Sequence, residues 1–141
     1  MCSAVLRHWI YLPPADTPKG LLRGYFFLMP ADPVMSNTQQ ASVLSELRRE
    51  LARILGDRFE AAYLFGSRAR GDQRPDSDLD VLVVVRGAFD YGDLIRRTSA
   101  LVSGLSLKYD TVIARAFVSK ERFERERSPF LLNIRREAVA V

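Results

Sequence analysis

From residue 36 onward the apolar positions follow two periods, and the switches between them divide the chain into elements. Ala41, Leu44, Leu47, Leu51, Ile54 and Leu55 recur at the spacing of one helix face. Ser36 and Gln39 stand at capping-box spacing ahead of them, and Gly56-Asp57 supplies the stop. Glu60 to Phe65 (EAAYLF) reads as a strand that halts at Gly66. Leu79 to Val85 (LDVLVVV) is β-branched and apolar on both faces beyond Asp80, which predicts a strand central in its sheet. Gly87 breaks it, and Asp90 is placed to cap a second helix carrying Leu94, Ile95, Leu101, Val102 and Leu105. Tyr109 to Val118 reads as a third strand with Asp110 near its start. Ser119 and Ser128-Pro129 each offer a further helix start, the second with proline at the first helical position. This order predicts an α/β domain with a small sheet, and no internal repeat interrupts it.

Residues 1–35 break the pattern. They hold five of the seven prolines (Pro13, Pro14, Pro18, Pro30, Pro33) and keep neither period. A secretory signal is excluded, because His8, Pro13 and Pro14 interrupt any apolar core after Arg7. The expectation is a disordered leader, or upstream sequence joined by a misplaced start, followed by one domain over residues 36–141. The 141 residues, 48% apolar and 27% charged, describe a folded protein and suffice for one core. Tyr25 to Met29, the most lipid-like stretch, is closed by Pro30 and falls far short of the ~20 residues that span a bilayer. Cys2 and His8, alone of their kinds, can form neither an intramolecular disulfide nor a four-ligand zinc site. They are incidental to function, and the lone cysteine fits the cytoplasm.

The net charge of +4 suits a pocket for a polyanion such as a nucleoside triphosphate as well as it suits a nucleic acid. Signs alternate from Lys120 to Arg127, as on a solvated helix face, and Tyr63 and Phe65 fall in a core strand. With no basic stripe interleaved with aromatics, nucleic acid is not the expected partner.

The chemistry concentrates between Leu64 and Val85, LFGSRARGDQRPDSDLDVLVVV. Gly66-Ser67 turn the chain where a strand ends; glycine admits a close backbone approach, and backbone N–H groups with the Ser67 hydroxyl can hold phosphate oxygens. Asp78 and Asp80 lie at i and i+2 at the head of the central strand, so both carboxylates share a face. Such a pair repels unless a cation lies between, and a hard divalent ion, Mg²⁺ or Mn²⁺, is the natural counter-charge. Asp110 offers a third acid if its strand lies beside Leu79–Val85, and three converging acids suit a two-metal displacement. Arg68, Arg70 and Arg74 are placed to offset triphosphate charge. Asp72 and Asp76 are read as loop or cap residues.

Gly66-Ser67, ten intervening residues, Asp78-x-Asp80 and a later Asp110 resemble the signature of the DNA polymerase β-like nucleotidyltransferases, most of all the minimal nucleotidyltransferases. At average residue frequencies the four fixed residues match a given position by chance roughly once in 10⁵. The resemblance covers about Thr38 to Val141. It implies a small mixed sheet with flanking helices. It further implies nucleotide binding at Gly66, Ser67, Arg68 and Arg70, and metal ligation by Asp78, Asp80 and Asp110 with two Mg²⁺ ions. Asp110 doubles as candidate base, and NMP is transferred from NTP with release of pyrophosphate. The absence of a separate substrate domain is similar to the antitoxins of HEPN–MNT pairs. That similarity implies transfer of AMP from ATP to a tyrosine of a HEPN toxin. The alternatives are adenylylation of a small molecule such as an aminoglycoside, or inhibition of a partner by binding alone.

Overall fold

The computed structural model describes residues 35–72 and 77–141. The expected leader therefore lies outside the described residues except for Met35, which is buried in the core, and so do Arg74 and Asp76. Helix α1, Asn37–Leu55, starts where its cap predicts: the Ser36 hydroxyl accepts the Gln39 N–H at 3.1 Å. The Gln39 side chain reaches away, to the Tyr109 carbonyl at 3.4 Å. Val43, Leu44, Leu47, Leu51 and Leu55 form the buried stripe. Gly56 then turns the chain with φ 57° into a 3₁₀ turn, Gly56–Arg58.

Strand β1, Phe59–Phe65, is followed by the one-turn helix α2, Ser67–Arg70, and by β2, Leu79–Val85. Helix α3, Tyr91–Tyr109, is capped as expected by Asp90, whose carboxylate accepts the Asp93 N–H at 2.6 Å. Then come β3, Ile113–Ser119, α4, Lys120–Arg125, α5, Pro129–Glu137, and β4, Val139–Ala140. The four strands lie in the order β3-β2-β1-β4. β2 pairs antiparallel with β1 and parallel with β3, so the sheet is mixed and its most apolar strand is interior.

Both faces of β2 are covered. Leu79, Val81, Val83 and Val85 join the stripe of α1 and Leu94, Val102 and Leu105 of α3 in the main core. Leu82 and Val84 face the other way, onto Leu131 and Ile134 of α5 with Phe123 of α4 beside them. Asp80, in phase with Leu82 and Val84, therefore belongs to the α4–α5 face. Rings extend this second core: Tyr63 stacks on Phe123 with centroids 5.1 Å apart, and Phe65 meets Phe130 edge-on at 5.6 Å. Among the described residues no helix is long and apolar enough to cross a membrane.

Two expectations need correction. The third strand begins at Ile113, not Tyr109, because α3 keeps its period through Tyr109, whose hydroxyl donates to Glu46 of α1 at 2.8 Å. Asp110 is the C-cap of that helix, left-handed at φ 49° and ψ 49°, its N–H bonded to the Ser106 carbonyl. β4, only two residues long, carries no periodic signal and goes unpredicted; it pairs antiparallel with Tyr63 and Leu64 of β1.

Candidate active site

The Gly-Ser turn and the acid pair meet because β1 and β2 are antiparallel neighbours in a register that sets Phe65 opposite Asp80. Gly66 follows with φ 77°, and a Cβ there would stand 2.6 Å from Asp80 Oδ2. Glycine is thus required twice, by its dihedral and by the carboxylate against it. Asp80 is half-buried and Asp78 exposed. Burial lifts the Asp80 carboxyl above its ordinary value, and the neighbouring Asp78 charge adds to the lift. Ser67 opens α2, and its carbonyl accepts the N–H groups of Gly71 and, at 3.0 Å, of Asp72.

The two arginines of that turn separate. Positions i and i+2 of a helix lie about 200° apart, so Arg68 and Arg70 cannot both face one ligand. Arg70 is half-exposed, with Nε 3.4 Å from Asp72 and Nη1 3.9 Å from Glu137 of α5. Together with Phe65, Gly66, Phe130, Asn133 and Glu137 it lines an open cleft of about 200 Å³. Arg68 is only 5% exposed and donates to the Ser77 carbonyl at 2.7 Å and to Gln40 Oε1 at 3.3 Å. Its helical phase was the available signal. Its partners, Gln40 far upstream and a backbone carbonyl, were not legible in the sequence.

Asp110 is exposed at the end of α3, outside the strand on which it was expected. The β3 residue in register with Asp80 is Ala114. Among the described residues no three His, Cys, Asp or Glu side chains gather at metal-holding distances, so Asp78 and Asp80 form a two-acid group. Their oxygens fit a hard divalent cation, which takes one or two carboxylates and completes its shell with phosphate oxygens or water.

A family model described as a nucleotidyltransferase domain matches residues 44–138. Two relatives from Methanocaldococcus jannaschii each bear the name "putative protein adenylyltransferase". MJ0141 is 35% identical over 72 residues, 51% of this chain and 72% of its own length. MJ0604 is 39% identical over 69 residues, 49% of this chain and 63% of its own. Among solved structures, a toxin–antitoxin MntA–HpeT mutant overlaps 66% of this chain and 67% of its own at 21% identity, with a TM-score of 0.44.

Proposed function

The chain belongs to the nucleotidyltransferase domain family, and from that premise we propose that it transfers AMP from ATP to a hydroxyl group of a partner protein. The observation that carries the reading is the contact of turn and acid: Gly66 lies so close to Asp80 that no side chain fits between them. A triphosphate held at Gly66 and Ser67, with Arg70 at its flank, has its α-phosphorus beside Asp78 and Asp80. Asp78 and Asp80 would hold a divalent ion, which would supply positive charge to offset the triphosphate and the leaving group. The acceptor oxygen bonds to the α-phosphorus, the α–β P–O bond breaks, and pyrophosphate leaves with those electrons. The acceptor proton goes to a base, for which Asp110 remains the candidate.

The protein acceptor is supported by the names of the two Methanocaldococcus relatives, the first of which is matched over 72% of its length. Within that class we read the acceptor as a tyrosine of a HEPN-type toxin and the chain as its antitoxin, acting in the cytoplasm. One observation favours a second reading, inhibition by binding: Asp110 caps α3, and Ala114 stands beside Asp80 where a third acid would complete the group.

The test is transfer of α-phosphate-labelled ATP with Mg²⁺, with and without the product of the neighbouring gene, using Asp78→Asn/Asp80→Asn as control. Label on the partner that vanishes in the double variant is the expected result. A partner silenced but unlabelled would select inhibition by binding.

A further inference from the structure

We propose that Arg68 is a positioning residue for the acid pair, fixing the backbone that enters Asp78, and that it does not bind phosphate. The proposal rests on reading Asp78 and Asp80 as a cation site. The Ser77 carbonyl that accepts Arg68 Nε at 2.7 Å belongs to the peptide joining Ser77 to Asp78. It therefore orients the peptide plane directly ahead of the acid. On the other side of Asp78, the Leu79 N–H donates to the Val112 carbonyl at 2.8 Å. Asp78 is thus exposed in its side chain but pinned in its backbone from both directions. The second arm of Arg68 ends on Gln40 Oε1 in the first turn of α1, whose N–H bonds the carbonyl of the cap residue Ser36 at 2.9 Å. A long helix thereby anchors a loop residue, through a guanidinium whose planar fork serves two acceptors at once.

Charge and position predict opposite signs. A buried guanidinium near a cation site repels the cation, so a purely electrostatic Arg68 weakens metal binding and its removal tightens it. A positioning Arg68 holds the ligand in place, and its removal loosens binding, by about tenfold for an outer partner of a metal ligand.

The experiment measures Mn²⁺ affinity without nucleotide, by the paramagnetic signal of the free ion, for wild type, Arg68→Ala, Arg68→Lys and Gln40→Ala, each with its melting curve. The same variants are assayed for transfer at rising Mg²⁺. Expected is a Kd for Mn²⁺ raised about tenfold in Arg68→Ala, with activity recovered at excess metal and the KM for ATP held within about twofold. Arg68→Lys, which keeps the charge but cannot span both acceptors, falls between it and wild type. Mn²⁺ binding equal to wild type or tighter in Arg68→Ala overturns the proposal, as does a raised KM for ATP with unchanged Mn²⁺ affinity, the mark of a phosphate ligand. If Arg68→Ala does not fold, Gln40→Ala decides, since it frees one arm and keeps the charge: a severalfold weaker Kd supports the proposal and an unchanged one overturns it. Wild type that binds no Mn²⁺ removes the cation reading and the proposal together, whereas wild-type binding that the variants leave intact removes the proposal alone.

Discussion

Two glycines flank the short helix α2, and they differ both in backbone and in what a side chain there would meet. Both have φ 77°, but Gly71 at ψ 8° lies in the left-handed region, where a Cβ costs roughly 1 kcal/mol, whereas Gly66 at ψ −156° lies where essentially only glycine is found. At Gly71 that Cβ would meet nothing within 4 Å, whereas at Gly66 it would lie 2.6 Å from Asp80 Oδ2. The carboxylate end can swing aside, which keeps the fold but moves the group proposed to hold the cation. Gly66→Ala is therefore expected to lose more stability than Gly71→Ala in denaturant titrations. Only Gly66→Ala should lose transfer activity, by about 100-fold or more if Asp80 is displaced by an ångström. Equal activity in the two variants would separate the Gly66–Asp80 contact from the chemistry.

Helix α3 and strand β3 are joined by a part-buried polar contact at the edge of the main core. Arg115 of β3 donates through Nε to the fully buried Thr98 hydroxyl at 2.7 Å. Its Nη2 donates to the Ile95 carbonyl at 2.9 Å and to Ser99 Oγ at 3.0 Å. Burial lowers the guanidinium pKa, yet the three acceptors satisfy its fork. Arg115→Ala leaves them without that donor and is expected to cost about 2–3 kcal/mol in urea unfolding, with the KM for ATP unchanged. The same pair of elements shows where the sequence misleads. The run Thr111-Val112-Ile113 is β-branched and pulls a strand prediction upstream, while the 3.6-residue period of Leu101, Val102, Leu105 and Tyr109 extends the helix downstream. Contacts settle the conflict: Glu46 of α1 accepts from both Tyr109 and Lys108, and Asp110, one of the few residue types that tolerate αL, ends the turn. By contrast α1, β1 and β2 were legible, since period, cap and terminal glycine agree in each. Glycine at the turn and acids two apart on the central strand were legible for the same reason, being local patterns. The inward course of Arg68 and the place of Ala114 beside Asp80 depend on long-range register, which no local pattern carries.

Across the described domain, the titrating groups divide by the sign of their shift. Hydrogen bonds from Lys108 and Tyr109 hold Glu46 low, those from Lys120 and Arg86 hold Glu60 low, and those from Arg122 and Ser128 hold Glu126 low. Arg53 and then Arg49 act on Glu50 in the same direction. A carboxyl with a lowered folded pKa binds fewer protons folded than unfolded. Its stabilisation is present above the ordinary carboxylate value and lost as pH falls through that value toward the folded one. All four are solvent-exposed pairs that contribute little apiece, so the melting temperature should decline gradually below about pH 4.3. Asp80 has the opposite sign. The folded state holds its proton more tightly, so stability is lost as pH rises from the unfolded value through the raised one, and at neutral pH the ionised carboxylate is a standing cost. Asp80→Asn is therefore expected to melt above wild type at pH 7, the gain shrinking as pH falls through the raised value and gone below the ordinary aspartate value. Mg²⁺ offers the wild type the same relief by neutralising the pair, and it should raise the wild-type melting temperature at pH 7 while leaving Asp80→Asn unmoved. Thermal melts over pH with and without Mg²⁺ read both effects. A metal-induced rise that survives in Asp80→Asn would place the ion elsewhere than on the acid pair.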